Sequence, residues 1–165
     1  RVSSQIIILA HDMWRKGAGG APAGLVGQAD SFAYAGLDLG LAQFAATTFA
    51  GTSFTATSFK QAGWSGCQFT GCSFTQCDFS SISITGCTFI NCSFTGANFD
   101  GASIGSSTFR QCQWDDISFA GGSWNDVGVL DCSGTVVHAQ GLQGRSVDFT
   151  GSTFEQLEFQ GANIN

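Results

Sequence analysis

The stretch CQFTG-CSFTQ-CDFSS-ISITG-CTFIN-CSFTG-ANFDG, residues 67–101, decides the fold. Every fifth residue is Phe or Ile, from Phe69 through Phe74, Phe79, Ile84, Phe89 and Phe94 to Phe99. Two positions ahead of each stands a smaller residue: Cys67, Cys72, Cys77, Ile82, Cys87, Cys92 and Ala97. Followed outward, this phase runs unbroken from Tyr34 to Ile164, 27 centres in all. Fifteen of the 16 Phe fall on it and all seven Cys fall on the slot two residues before, so the period belongs to the chain and not to one window.

A period of five is neither the 3.6 of a helix nor the 2 of a strand, so the chain must reset its direction once per unit. Two slots separated by two residues point to the same side of an extended segment. The remaining positions, rich in Ser, Thr, Gly, Gln, Asn and Asp, point outward or turn the corner. Each unit is then one short side of a coil, and successive coils stack about 4.8 Å apart with the large slot filling the interior. Trp64, Trp114 and Trp124 occupy that slot and are assigned to the core. At Gly134, Ala139 and Gly144 the slot is small, while Val137, Leu142 and Val147 enlarge the other slot, which predicts volume compensation without a broken coil.

Units such as Cys92-Ser93-Phe94-Thr95-Gly96 and Ala97-Asn98-Phe99-Asp100-Gly101 resemble the pentapeptide repeat proteins, whose pattern is a small residue, a polar residue, Leu or Phe, then two polar or small residues. The resemblance covers residues 32–165. It implies an all-β fold, a right-handed quadrilateral β-helix (solenoid) with four units per coil, so that 27 units make roughly seven coils. Residues 1–31 lie outside the phase. The apolar segment 5–17, with Ile6, Ile7, Ile8, Leu9, Met13 and Trp14, fits a strand or a short helix, and either caps the open end of the solenoid or is a remnant of an upstream domain. Residues 17–27 are expected to be a flexible connection. The chain opens on Arg1 with no initiator Met and is taken as part of a longer bacterial protein. Its last coil lacks a cap, and a homodimer through that solenoid end is the simplest cover.

At 165 residues, 43% hydrophobic, the chain is one domain with a sizeable core. A net charge of -6 removes the usual drive towards nucleic acid or an anionic membrane surface, so neither is expected as a direct partner. The longest purely apolar run, residues 6–10, is far short of a membrane span. The cysteines are five or twenty apart and do not converge as zinc ligands do. Cys72, Cys92, Cys112 and Cys132, twenty apart, should stack on one side. They are expected to be reduced fillers of a buried slot, in keeping with a cytoplasmic location. No cofactor or metal is expected. His11 and His138 have no nucleophile or carboxylate in a catalytic arrangement, and the chain is not expected to be an enzyme.

Within residues 32–165 ten acids face Lys60, Arg110 and Arg145, a balance of -7. Folded as four-unit coils, Asp38, Asp78, Asp100 and Glu158 share one side, and Asp115, Asp116 and Glu155 lie on the side before it. These seven are the candidate partner-binding residues. The leading expectation is a non-enzymatic structural or protein-interaction module presenting rigid flat sides to a protein partner. The alternative, implied by the resemblance, is a DNA-mimicking binder of a type II topoisomerase, as in the gyrase-protecting quinolone-resistance members of the family.

Overall fold

A computed structural model describes residues 2–165 as a parallel β-solenoid with one helix, Ser4–Arg15 (α1). Residues one coil apart pair in parallel register, and the pairing runs through Leu25, Phe44, Trp64, Ile84, Ile104, Trp124, Gly144 and Ile164. Eight rungs make about seven turns. A second column carries Asp30, Phe49, Phe69, Phe89, Phe109 and Val129. A third carries Tyr34, Phe54, Phe74, Phe94, Trp114, Gly134 and Phe154. The fourth side is joined at Asp38, Ser58, Asp78, Asn98, Ser118, His138 and Glu158.

The Phe slot is the core. Rings one coil apart stack nearly parallel, as in Phe49–Phe69 and Phe69–Phe89 with centroids 4.7 Å apart and Phe79–Phe99 at 4.3 Å. Rings on neighbouring sides meet edge to face, as in Phe54–Phe59 at 80°. Both are favoured geometries of the ring quadrupole, so each Phe gains specific contacts beyond its buried area. Trp64, Trp114 and Trp124 are buried in the same slot, their indole N–H groups without a hydrogen-bond partner.

The reset that the period demands is a left-handed residue at each corner. Positive φ recurs every five residues from Gly36 to Gly161, and among the described residues the one interruption is at Val136. Eleven of these corners are Gly; the others include Asn91, Asp116, Asp126 and Asp131, with φ of 54–59°. A β-branched side chain is the poorest fit to that region, which accounts for the exception at Val136.

The ladder begins at Gly24–Val26, upstream of the strict phase. Leu25 and Asp30 pair with residues 19 further on, whereas Tyr34 and its successors pair at 20, so one residue is missing between Asp30 and Tyr34. That slip hides the first coil from a search at period five. Residues 17–22, expected to be a flexible connection, run back along α1: the Ala21 N–H donates to the Ala10 carbonyl at 3.2 Å. A Cβ at Gly20 would come within 2.0 Å of the same oxygen.

The compensation at Gly134 also differs from the expectation. Val137 and Leu142 are buried as predicted, but the space over Gly134 is closed from the next coil, where the Phe154 ring reaches across to stack on Trp114, two coils from it, at 5.2 Å and 19°. A methyl at Gly134 would lie 1.7 Å from the Trp114 carbonyl oxygen. The backbones approach there because no side chain separates them.

Candidate interaction surface

Ser3 caps α1, its side chain accepting from the Ile6 N–H at 3.4 Å, and Gly17 in the left-handed region ends it. One face of the helix, with Ser4, Ile8, His11 and Asp12, is buried against the first coil. The His11 ring is fixed by two backbone groups: the Ala23 N–H donates to Nδ1 at 2.8 Å, which leaves Nε2 as the donor to the Gly40 carbonyl at 2.7 Å. Asp12 accepts from the Asp38 N–H and from Lys16 Nζ, both at 2.7 Å. Burial raises its carboxyl pKa, yet these donors outweigh burial and hold it below the ordinary value.

Beneath α1 lies a buried carboxylate in a slot that later coils give to Phe. Asp30 accepts from Ser4 Oγ at 2.5 Å, Tyr34 Oη at 2.6 Å, Thr52 Oγ1 at 3.1 Å and the Phe32 N–H at 3.1 Å. Thr52 Oγ1 is shared with the Asp30 carbonyl at 3.0 Å, and with the other three donors it satisfies the side-chain oxygens without a cation. Burial first, then the adjacent Asp30 carboxylate, push the Tyr34 phenol far up.

The outer face of α1 is apolar. Val2, Ile6, Leu9, Met13 and Trp14 are exposed there, while Lys16 and Arg15 reach down to the Gly36 carbonyl and Asp38. At the opposite end, Phe149, Ser152, Phe154, Leu157, Phe159 and Ile164 line a concavity of about 310 Å³. Leu157 is 42% and Phe159 37% exposed, whereas earlier coils bury Ile117 and Val137 in the slot of the first and Phe79, Phe99 and Phe119 in the slot of the second. Both ends of the rod are hydrophobic.

The structure brings Asp38, Asp78 and Glu158 into one column, with Asp100 two residues further along the same side and Asp115 and Glu155 on the side before it. Most of these carboxylates already bind within the chain. Asp38 Oδ1 accepts from the Gly40 N–H and Arg15 Nε, and Asp78 Oδ1 from the Ser80 N–H at 2.9 Å. Asp100 accepts from Ser118 Oγ and from the Ala120 N–H of the next coil. Asp115 holds Gln113 and Thr135, and Glu158 holds His138 Nδ1 at 2.5 Å and Gln140 Nε2 at 2.8 Å. Asp116 is a corner residue with φ of 57°, and Glu155 is exposed. Sequence reasoning missed the recurring reason for acids here: a side-chain oxygen at residues 38, 58, 78, 98, 118 and 148 accepts the N–H two residues ahead and closes the turn. Its signal was the alternation of Asp, Asn and Ser at one phase.

Models of pentapeptide repeats match residues 38–76, 62–135 and 82–165, and the chain belongs to the pentapeptide repeat family. No curated protein sequence matches it. Two trypsin-treated variants of QnrB1, a plasmid-mediated fluoroquinolone resistance protein, are similar in structure at TM-scores of 0.54 and 0.56. They are 16% and 17% identical over 83% and 82% of this chain and 91% of theirs. The pentapeptide repeat protein Rfr23 from the cyanobacterium Cyanothece 51142 is 10% identical over 86% of this chain and 87% of its own, at a TM-score of 0.45. At these identities the likeness is one of fold. Among the described residues no helix is long and apolar enough to cross a membrane.

Proposed function

We propose that the chain is a non-enzymatic interaction module whose rigid rod associates with protein through its C-terminal end, a second copy of the chain being the occupant. The observation that carries this reading is the apolar concavity of the last coil, with Leu157 and Phe159 exposed on a rod that buries the same slots elsewhere. Two such ends meeting about a two-fold axis would bury identical apolar patches in each other, which is how most homo-oligomers close.

The test is light scattering over a dilution series. The chain is expected to be dimeric at micromolar concentration, and Leu157→Arg with Phe159→Asp to be monomeric with unchanged circular dichroism. A monomer at every concentration would sink the reading.

Imitation of DNA, carried over from the quinolone-resistance members, is the weaker reading. Its support is the similar fold of QnrB1. Against it stands the engagement of Asp38, Asp100, Asp115 and Glu158 in internal hydrogen bonds, which leaves few free acids to stand for phosphates.

A further inference from the structure

The cysteines stand in three columns. Cys72, Cys92, Cys112 and Cys132 occupy successive rungs of one, Cys67 and Cys87 adjacent rungs of a second, and Cys77 is alone in a third between Thr57 and Ala97. All are buried, with at most 2% exposure. Within the long column every thiol takes the same direction. The four Sγ atoms donate to the carbonyl oxygens of Phe49, Phe69, Phe89 and Phe109 at 3.3–3.4 Å. In the short column Cys67 and Cys87 both donate to the carbonyl two residues earlier, at 3.5 and 3.6 Å. Side chains of one orientation on rungs about 4.8 Å apart set their sulfurs at that same spacing.

That spacing decides what the thiols can hold. A disulfide needs sulfurs about 2 Å apart and turned towards each other, whereas these lie parallel. A zinc site needs four converging ligands, and among the described residues no three His, Cys, Asp or Glu side chains converge. A soft ion bound in a line between two thiolates needs neither. With metal–sulfur bonds of about 2.3 Å, two collinear bonds span roughly 4.6 Å, close to one coil step. Charge selects among soft ions. A monovalent ion with two thiolates leaves a net negative charge in a buried slot, while a divalent ion gives a neutral complex, which such a slot tolerates far better.

We propose that Cys72 with Cys92, Cys112 with Cys132, and Cys67 with Cys87 form three linear two-thiolate sites for mercury(II). Each ion replaces two S–H protons, which leave to solvent, and forms two Hg–S bonds; nothing is oxidised. Cys77, with a hydroxyl neighbour on one rung and a methyl on the other, stays a free thiol.

The reduced chain is titrated with mercuric chloride and followed by native mass spectrometry, circular dichroism and X-ray absorption at the metal edge. Three ions per chain are expected, each with two sulfur neighbours, on a fold that stays intact. Cys92→Ser should take up two ions and Cys77→Ser three. Should Cys92→Ser not fold, Cys87→Ser in the other column must likewise fall to two. Seven single-thiol adducts, uptake only in denaturant, loss of the β signal on loading, or a count unchanged in the column variants would overturn the assignment.

Discussion

A methyl group added at Gly134 meets the Trp114 carbonyl oxygen at 1.7 Å, and one added at Gly121 meets nothing within 4 Å. The two glycines should therefore respond differently to the same change. Gly121→Ala keeps a corner with φ of 65°, which Ala46 and Ala56 already tolerate, and should cost about 1 kcal/mol. Gly134→Ala must push two coils apart and should cost at least as much as Phe94→Ala, for which a cavity in the middle of the stack predicts ~3–5 kcal/mol. Equilibrium denaturation midpoints of the three variants check the order; a Gly134→Ala protein as stable as Gly121→Ala would remove the close approach. The sequence marks Gly134 as a departure from the phase, yet the residue that closes the gap is Phe154, its partner one coil on, which reaches past it to Trp114, and nothing in the five-residue pattern shows that reach. Corner acids were illegible for another reason. Asp tolerates a left-handed backbone better than most residues, so Asp116, Asp126 and Asp131 read the same whether they serve the turn or a partner.

At the scale of elements, α1 and the first coil are joined through polar groups, and this is the part of the fold the period could not reach. The missing residue between Asp30 and Tyr34 throws the first coil out of phase, so Leu25 falls in the sequence within the connection expected over residues 17–27 and Asp30 lies outside the repeat. Replacing Asp30 with Ala strands the hydroxyls of Ser4 and Tyr34 in a buried site. At about 1–3 kcal/mol for each unmade bond, a loss of several kcal/mol is expected in thermal unfolding. Asp12 adds a pH dependence with a definite sign. Its pKa lies below the ordinary 3.8 in the folded chain, so its contribution is fully present above that value and is lost as pH falls through the folded pKa. Stability should drop on acidification below about pH 4, and Asp12→Asn should flatten that part of the curve while leaving neutral pH behaviour weakened. An identical acid limb in Asp12→Asn would assign the drop to other carboxylates.

For the molecule as a whole, charge density separates a rod that imitates DNA from one that joins protein by its end. Seven turns at about 4.8 Å make a rod of roughly 34 Å, over which a duplex carries on the order of 20 phosphate charges. Residues 32–165 carry ten acids against three bases, and Lys60 sits in the same file of positions as Asp100, diluting the most acidic side. Charge-driven association weakens steeply with salt. The chain is therefore expected to leave gyrase supercoiling unaffected at micromolar concentration, in low and in physiological salt alike. Neutral replacements give a cleaner control than charge reversal, because Asp78→Asn keeps an oxygen for the Ser80 N–H and so keeps the turn. With Glu155→Gln, which changes an exposed side chain, the double variant lowers the charge of both acidic sides while preserving the ladder. Inhibition by the parent chain that falls with salt and disappears in this folded variant would move the functional surface from the end of the rod to its sides.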